Sequence, residues 1–153
     1  MAFPFRSFRL RNTLAGLAAL ALAWLPPAPA DAQGALPGPV EATLLRVIDG
    51  DTLLVRARIW LDIEIVTRVR LRDVNAPELR SRDEGERERA AAARDFTASL
   101  ADGAALVLTE IAHDKYGGRV VARVAAGGED LGSALLASGH ARPLGPRGRR
   151  DPG

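Results

Sequence analysis

Asp49 and Asp51 flank a glycine in the run Ile48–Thr52, and this pair of carboxylates is the first candidate for chemistry. Asp-Gly is a strong hairpin signal, so the run predicts a tight turn between two strands. A hard cation such as Ca²⁺ needs several oxygen ligands close together, and such a turn can supply them. An ordinary hairpin has the same composition, because Asp and Gly favour turns for reasons unrelated to metals. Taken alone, the run is more typical of the ordinary turn.

A second polar group begins at Arg70, at the end of a strand-like stretch, and continues into a loop that contains Asn75, Pro77 and Glu78. Phosphodiester hydrolysis needs a cation on the phosphate oxygens, an arginine for the developing charge and a base for the attacking water. These residue types could meet those needs. A surface strand with solvated charges and a proline-stiffened turn explains them equally well.

A third group, Asp114–Arg119, predicts a turn that places Arg119 at the start of a strand. Arginine suits bidentate phosphate contacts because its planar guanidinium carries several fixed donors. A basic hairpin with one aromatic residue is also a common form of solvated turn, so this group alone carries little weight.

The hydrophobic pattern predicts the elements that position these groups. Period-two alternation indicates five strands: Thr43–Val47, Thr52–Ile59, Ile65–Arg72, Ala105–Ala112 and Arg119–Ala125. Helical spacing and capping signals indicate helices over Asp83–Leu100 and Asp130–Ser138. Three strands, a helix, two strands and a helix are the order of an OB-type five-stranded barrel, so the fold class is mainly β with α.

The spacing and order of the three groups resemble the staphylococcal-nuclease-like (thermonuclease) family. The resemblance covers about Thr43–Pro143, and its motifs are VIDGDT at Val47–Thr52, RL followed by APE within Arg70–Glu78, and DKYG leading to Arg119. It implies the same OB-type barrel, a Ca²⁺ cofactor, and DNA and RNA substrates with little sequence preference.

The resemblance also implies roles for particular residues. Glu78 matches the family's proposed general base, and Arg70 and Arg119 match its two phosphate-contacting arginines. Asp51 takes the place of the main metal carboxylate, and Ala76 would offer a main-chain carbonyl to the metal.

The chain departs from the family pattern at three places. The second metal carboxylate of the family is replaced by Asn75, whose amide oxygen can bind calcium but brings no charge. Asp73 could compensate, although strand alternation does not say which way it points. Gly118 is an extra residue in the turn before Arg119, and Pro143–Gly145 stands where the family often has a nucleotide-contacting tyrosine. A non-catalytic OB-fold domain that binds nucleic acid or another partner through a weakened metal site is therefore the alternative.

Charge and composition add few constraints. The 153 residues are enough for one domain, and the absence of cysteine excludes disulfides and thiolate sites. The chain has a formal charge of +2, but its first 32 residues carry three arginines and one aspartate, so the remainder is balanced at 18 basic and 18 acidic side chains. Affinity for a polyanion must therefore come from local clustering of arginine.

The N-terminal region has the features of a signal peptide over residues 1–32. A basic start precedes the apolar run Leu14–Leu25, which is too short to span a bilayer, and an Ala-x-Ala pattern ends at Ala32. We expect the protein to be exported to a periplasm or out of the cell, with no stable membrane insertion after cleavage. We also expect the mature protein to be a monomer. Residues 33–40 predict a flexible lead-in, residues 41–144 the domain, and residues 145–153 a disordered tail.

Overall fold

The computed structural model describes residues 34–145 as nine strands and two helices. The strands are β1 (Ala35–Leu36), β2 (Val40–Asp49), β3 (Thr52–Arg58), β4 (Glu64–Leu71), β5 (Val74–Asn75), β6 (Leu106–His113), β7 (Arg119–Ala126), β8 (Glu129–Asp130) and β9 (Arg142–Pro143). The helices are α1 (Glu84–Ala101) and α2 (Leu131–Ala137). Neither of these two helices has the length and apolar character that crossing a membrane requires.

Five of the strands close into a barrel. The sheet order is β1-β6-β2-β3-β4-β7-β8, and β6 also pairs with β7, which joins the two sides of the sheet. The β4–β7 pair is parallel, with Leu71 opposite Ala122, and the other pairs are antiparallel. The predicted five-stranded OB-type barrel with two helices is confirmed.

The barrel interior follows the alternation that the sequence predicted. Val69 and Leu71 of β4 are buried, whereas Arg68 between β3 and β7 is exposed. The largest fully buried apolar side chains come from strands β3 to β7 and from α2: Leu53, Val55, Val69, Leu71, Val74, Leu106, Leu108, Val124, Leu131 and Leu135. Burial of one such side chain contributes about 1.5–3 kcal/mol to folding stability. A shift of a strand by one residue would lose this burial, so the buried face also determines which side chains lie on the outer face of each strand.

Helix α1 begins at a side-chain cap and packs through small residues. The Asp83 carboxylate accepts a hydrogen bond from the main-chain N–H of Glu86 at 3.2 Å, which satisfies a donor of the first turn. Phe96 and Leu100 are only partly buried. The fully buried positions are Ala90, Ala93, Thr97 and Ala101. Small side chains on this face let the helix lie close to the barrel.

The turn between β2 and β3 lies directly beneath α1. A Cβ atom on Gly50 would lie 2.7 Å from the Cβ of Ala93 and 2.9 Å from that of Ala76, so only glycine fits. Thr97 Oγ1 donates to the Gly50 carbonyl at 2.7 Å. The helix therefore holds the turn in place, and with it the two aspartates on either side.

The segment predicted as a flexible lead-in, residues 33–40, instead contributes to the sheet from Ala35 onward. Ala35 and Leu36 pair with β6, and the Pro37 carbonyl accepts a hydrogen bond from the N–H of Glu110 at 2.9 Å. Val40 is the first residue of β2. The predicted signal peptide, residues 1–32, and the predicted tail after Gly145 lie outside the described residues.

Candidate active site

The turn before β3, the end of β4, the loop after β5 and the start of β7 surround one open cavity of about 130 Å³. The cavity is lined by every residue predicted for the site: Asp51, Arg70, Asn75, Ala76, Glu78 and Arg119. The other lining residues are Asp49, Thr52, Pro77, Leu79 and Arg80. The structure thus brings the three sequence groups together. Three acidic side chains and three arginines line the cavity, so their formal charges balance.

Asp51 is a buried carboxylate, 4% exposed, with both oxygens hydrogen-bonded. Oδ1 accepts from Thr52 Oγ1 at 2.9 Å and from Arg70 Nη1 at 3.3 Å. Oδ2 accepts from the Ala76 N–H at 3.1 Å and lies 3.0 Å from Arg70 Nη2. A buried charge is tolerated only when paired and hydrogen-bonded, and this carboxylate meets both conditions.

Arg70 connects the strand to the following loop. Besides its bidentate pair with Asp51, its Nη2 donates to Asn75 Oδ1 at 3.0 Å and to the Val74 carbonyl at 3.5 Å. Its side chain is 21% exposed, so part of the guanidinium faces the cavity. A cation bound here would share the oxygens of Asp51 and Asn75 with Arg70.

The loop after β5 presents Glu78 to solvent. Asn75 ends β5, which is held by pairing with β9, and the buried Ala76 is fixed by its hydrogen bond to Asp51. Pro77 follows, and the Glu78 carbonyl accepts from the Ser81 N–H at 3.1 Å. Glu78 is exposed and lines the cavity, so water has access to its carboxylate.

Arg119 is oriented by two neighbours from the preceding turn. Its Nε donates to Asp114 Oδ2, and the Asp114 side chain is only 7% exposed. Its guanidinium carbon lies 4.9 Å from the centre of the Tyr116 ring, within cation–π range. The extra Gly118 lies in the turn with a φ of 79°, and Arg119 opens β7 opposite Arg68.

Among residues 34–145, Asp49 is the titratable group whose pKa is clearly shifted. Burial raises the pKa of the Asp49 carboxyl above its ordinary 3.8, and the negative charges of Asp51 and Glu78 add to the rise. A hydrogen bond from the Leu79 N–H and the positive charge of Arg80 oppose it. Repulsion among three neighbouring carboxylates is what a proton or a bound cation would relieve.

The donor set around the cavity consists of oxygen atoms. Within residues 34–145, no group of three or more His, Cys, Asp or Glu side chains is placed to hold a metal. Asp49, Asp51, the Asn75 amide and the main chain of Ala76 nevertheless lie around one cavity. Oxygen donors suit a hard cation such as Ca²⁺ rather than zinc or copper. The residues therefore fit a hard divalent cation, with fewer charged ligands than a tight site has.

Asp73, the carboxylate considered as a substitute for the one that Asn75 replaces, does not line the cavity. Its main chain has a φ of 62°, and its exposed side chain pairs with Arg123 Nη2 at 3.3 Å rather than lining the cavity. Asp73 thus lies outside the cavity that Asn75 lines.

Sequence reasoning gave no site role to Thr52, Asp114 and Arg80, and it named Asp49 only as one carboxylate of a candidate pair. Thr52 binds Asp51, Asp114 binds Arg119, and Asp49 and Arg80 line the cavity. Thr52 and Asp114 stand within the quoted motifs, so their partners could have been inferred from proximity. Arg80 had no such signal, because it begins a run of mixed charges that is typical of a solvated surface.

Comparison with known proteins gives one family match. Residues 68–150 match the family model described as staphylococcal nuclease homologue, which is more than half of the chain. The matched range includes Arg70, Asn75, Glu78 and Arg119 but begins after Asp51. No curated protein matches the chain.

Proposed function

Because the chain belongs to the staphylococcal nuclease homologue family, we propose that it is an exported calcium-dependent nuclease that hydrolyses DNA and RNA with little sequence preference. The observation that supports this most strongly is the convergence of Asp51, Arg70, Glu78 and Arg119 on one cavity. A carboxylate open to water and two fixed guanidinium groups are the parts that phosphodiester hydrolysis needs.

Glu78 acts as the general base. It takes a proton from the water that attacks phosphorus, so the new P–O bond forms as the bond to the leaving sugar oxygen breaks. Arg70 and Arg119 line the same cavity, and their guanidinium groups stabilise the negative charge that builds on the phosphate oxygens. The Asp114 carboxylate and the Tyr116 ring orient Arg119 before substrate arrives, which lowers the reorganisation needed in the transition state.

Asp51, Asn75 and the Ala76 carbonyl are the residues that would hold the calcium ion. When bound, calcium supplies Lewis-acid polarisation of the phosphate. Asp51 also has a structural part, because its hydrogen bonds fix Arg70 and the Ala76 N–H on two sides of the cavity.

Substitution of Asn75 by aspartate tests the metal ligand set. Asn75→Asp adds a charged oxygen ligand, so we expect the calcium concentration that gives half-maximal activity to fall roughly tenfold. Calcium binding by isothermal titration calorimetry gives the same quantity without turnover. Asp73→Asn is the matched control, since Asp73 pairs with Arg123 outside the cavity. An unchanged calcium affinity in Asn75→Asp would mean that position 75 is not a ligand.

A non-catalytic OB-fold domain is the second candidate, and the neutral Asn75 favours it. Such a domain would bind single-stranded nucleic acid or another exported partner without cutting. Digestion of single-stranded DNA and RNA in excess calcium, read on a gel beside filter binding of the same strands, separates the two functions. Cleavage of both substrates supports the nuclease, and retained binding without cleavage supports the binding domain.

Export and a monomeric state remain parts of the proposal. Export rests on the signal-peptide pattern of residues 1–32. Mass spectrometry of the protein recovered from cell fractions would show both its compartment and its N-terminal residue. We expect a mature chain that begins at Gln33 and elutes as a monomer in size-exclusion chromatography.

A further inference from the structure

Three arginines line the cavity, and within the described residues they differ in the acceptors that their guanidinium groups contact. Arg70 forms an ion pair with Asp51, and Arg119 is hydrogen-bonded to Asp114. Within residues 34–145, no carboxylate or carbonyl oxygen accepts a hydrogen bond from the Arg80 guanidinium. Two of the three cations are thus fixed in place, and the third keeps its donors available.

Arg80 lies two residues after Glu78 on the same loop, and it is exposed to solvent. Burial, Asp51 and Glu78 raise the pKa of Asp49, and the positive charge of Arg80 partly opposes that rise, which places Arg80 near the acidic side of the cavity. A guanidinium carries five N–H donors in a planar fork and binds phosphate oxygens strongly. An exposed arginine at the edge of a phosphate-binding cavity is placed to meet a further anionic group of the same ligand.

We propose that Arg80 binds a phosphate next to the scissile one and thereby makes the site selective for oligonucleotides over isolated phosphodiesters. This inference rests on the proposed nuclease function. In the proposed mechanism, the scissile phosphate is a monoanion that contacts Arg70 and Arg119. A polynucleotide carries a fixed negative charge on every neighbouring linkage, whereas a dinucleoside monophosphate has none to offer Arg80.

A purely electrostatic role through Asp49 predicts a different dependence on the substrate. Loss of Arg80 would then change the ionisation of Asp49 and alter the cleavage of all substrates equally. A phosphate contact changes only those substrates that have a neighbouring phosphate. The length of the substrate therefore distinguishes the two roles.

The test compares thymidylyl-thymidine, which has one phosphodiester, with pentathymidylate. For Arg80→Ala we expect kcat/KM to fall about tenfold on pentathymidylate and to stay within about twofold on the dinucleotide, as for loss of one charge-assisted hydrogen bond. The dependence of log KM on log salt concentration should lose about one unit of slope on the longer substrate. Arg82→Ala removes the same charge from the same loop, but Arg82 does not line the cavity, so kcat/KM should change on neither substrate.

Equal losses on both substrates would overturn the proposal in favour of an effect through Asp49. Equal losses in Arg80→Ala and Arg82→Ala would overturn it in favour of general attraction. If the wild-type protein cleaves neither substrate, the proposed nuclease function fails, and binding decides the role of Arg80. Fluorescence anisotropy with labelled pentathymidylate should then show a Kd about tenfold weaker for Arg80→Ala than for Arg82→Ala, and equal values would contradict the proposal.

Discussion

Glu78→Ser should lower kcat about 10²–10⁴-fold, because it removes the group that accepts a proton from the attacking water. Glu78 is exposed on the loop after β5, so its truncation leaves no cavity in the core, and the melting temperature should change by no more than a few degrees. Initial rates of cleavage of single-stranded DNA, with circular dichroism melting on the same samples, measure both effects.

Glu88→Ser provides the matched control for this substitution. Glu88 is an exposed glutamate of α1 that does not line the cavity, so its loss removes the same charge without removing the base. We expect near wild-type rates for the control. Similar rates in Glu78→Ser, Glu88→Ser and the wild type would show that Glu78 is not the base.

Arg119→Ala should lower kcat about 10²–10³-fold, because one of two preorganised donors to the transition state is lost. The structure adds a cost in stability. The Asp114 side chain, which is only 7% exposed, loses its ion-pair partner, so we expect the free energy of unfolding to fall by about 1–3 kcal/mol. Cleavage must therefore be measured well below the melting temperature of the variant.

Two further variants separate the loss of catalysis from the loss of stability. In Asp114→Asn with Arg119→Ala, no buried charge is left unpaired, so stability should recover while the rate stays low. Arg123→Ala removes an exposed arginine of the same strand that pairs with Glu110 and Asp73, and it should remain active. Recovery of the rate in the double variant would contradict a catalytic role for Arg119.

The barrel could be predicted from sequence because its strands bury one face and expose the other. In β4 the alternation of Val69 and Leu71 with arginines is strict, and a shift by one residue would bury the charges. The same constraint carries Arg70 to the cavity, since its orientation follows from the burial of its neighbours. The convergence of the three polar groups followed from strand order in the same way.

Features that depend on packing between distant segments were not predictable. The strand β1 forms from a glycine- and proline-containing segment because β6 offers it an edge, and no local pattern reports this. The packing of α1 on Gly50 uses alanine and threonine, which carry weak hydrophobic signals. Arg80 lines the cavity although its local sequence is typical of a solvated loop.

The position of Asp73 is a further feature that the sequence did not predict. Period-two alternation describes a regular strand, but β4 ends at Leu71 and Asp73 has a left-handed main chain. The turn sets the direction of its side chain, and the alternation of a regular strand does not predict that direction. Its pairing with Arg123, fifty positions along the chain, is a product of the closed barrel.

The central claim is that the cavity around Asp51, Arg70, Glu78 and Arg119 hydrolyses phosphodiesters with calcium. The most direct measurement is the initial rate of DNA cleavage by EDTA-stripped protein as calcium is added back, with Glu78→Ser measured in parallel. We predict no cleavage in EDTA, a saturable rise with calcium for the wild type, and a rate about 10²–10⁴-fold lower at every concentration for the variant. Cleavage that persists in EDTA, or equal rates for the two proteins, would contradict the account.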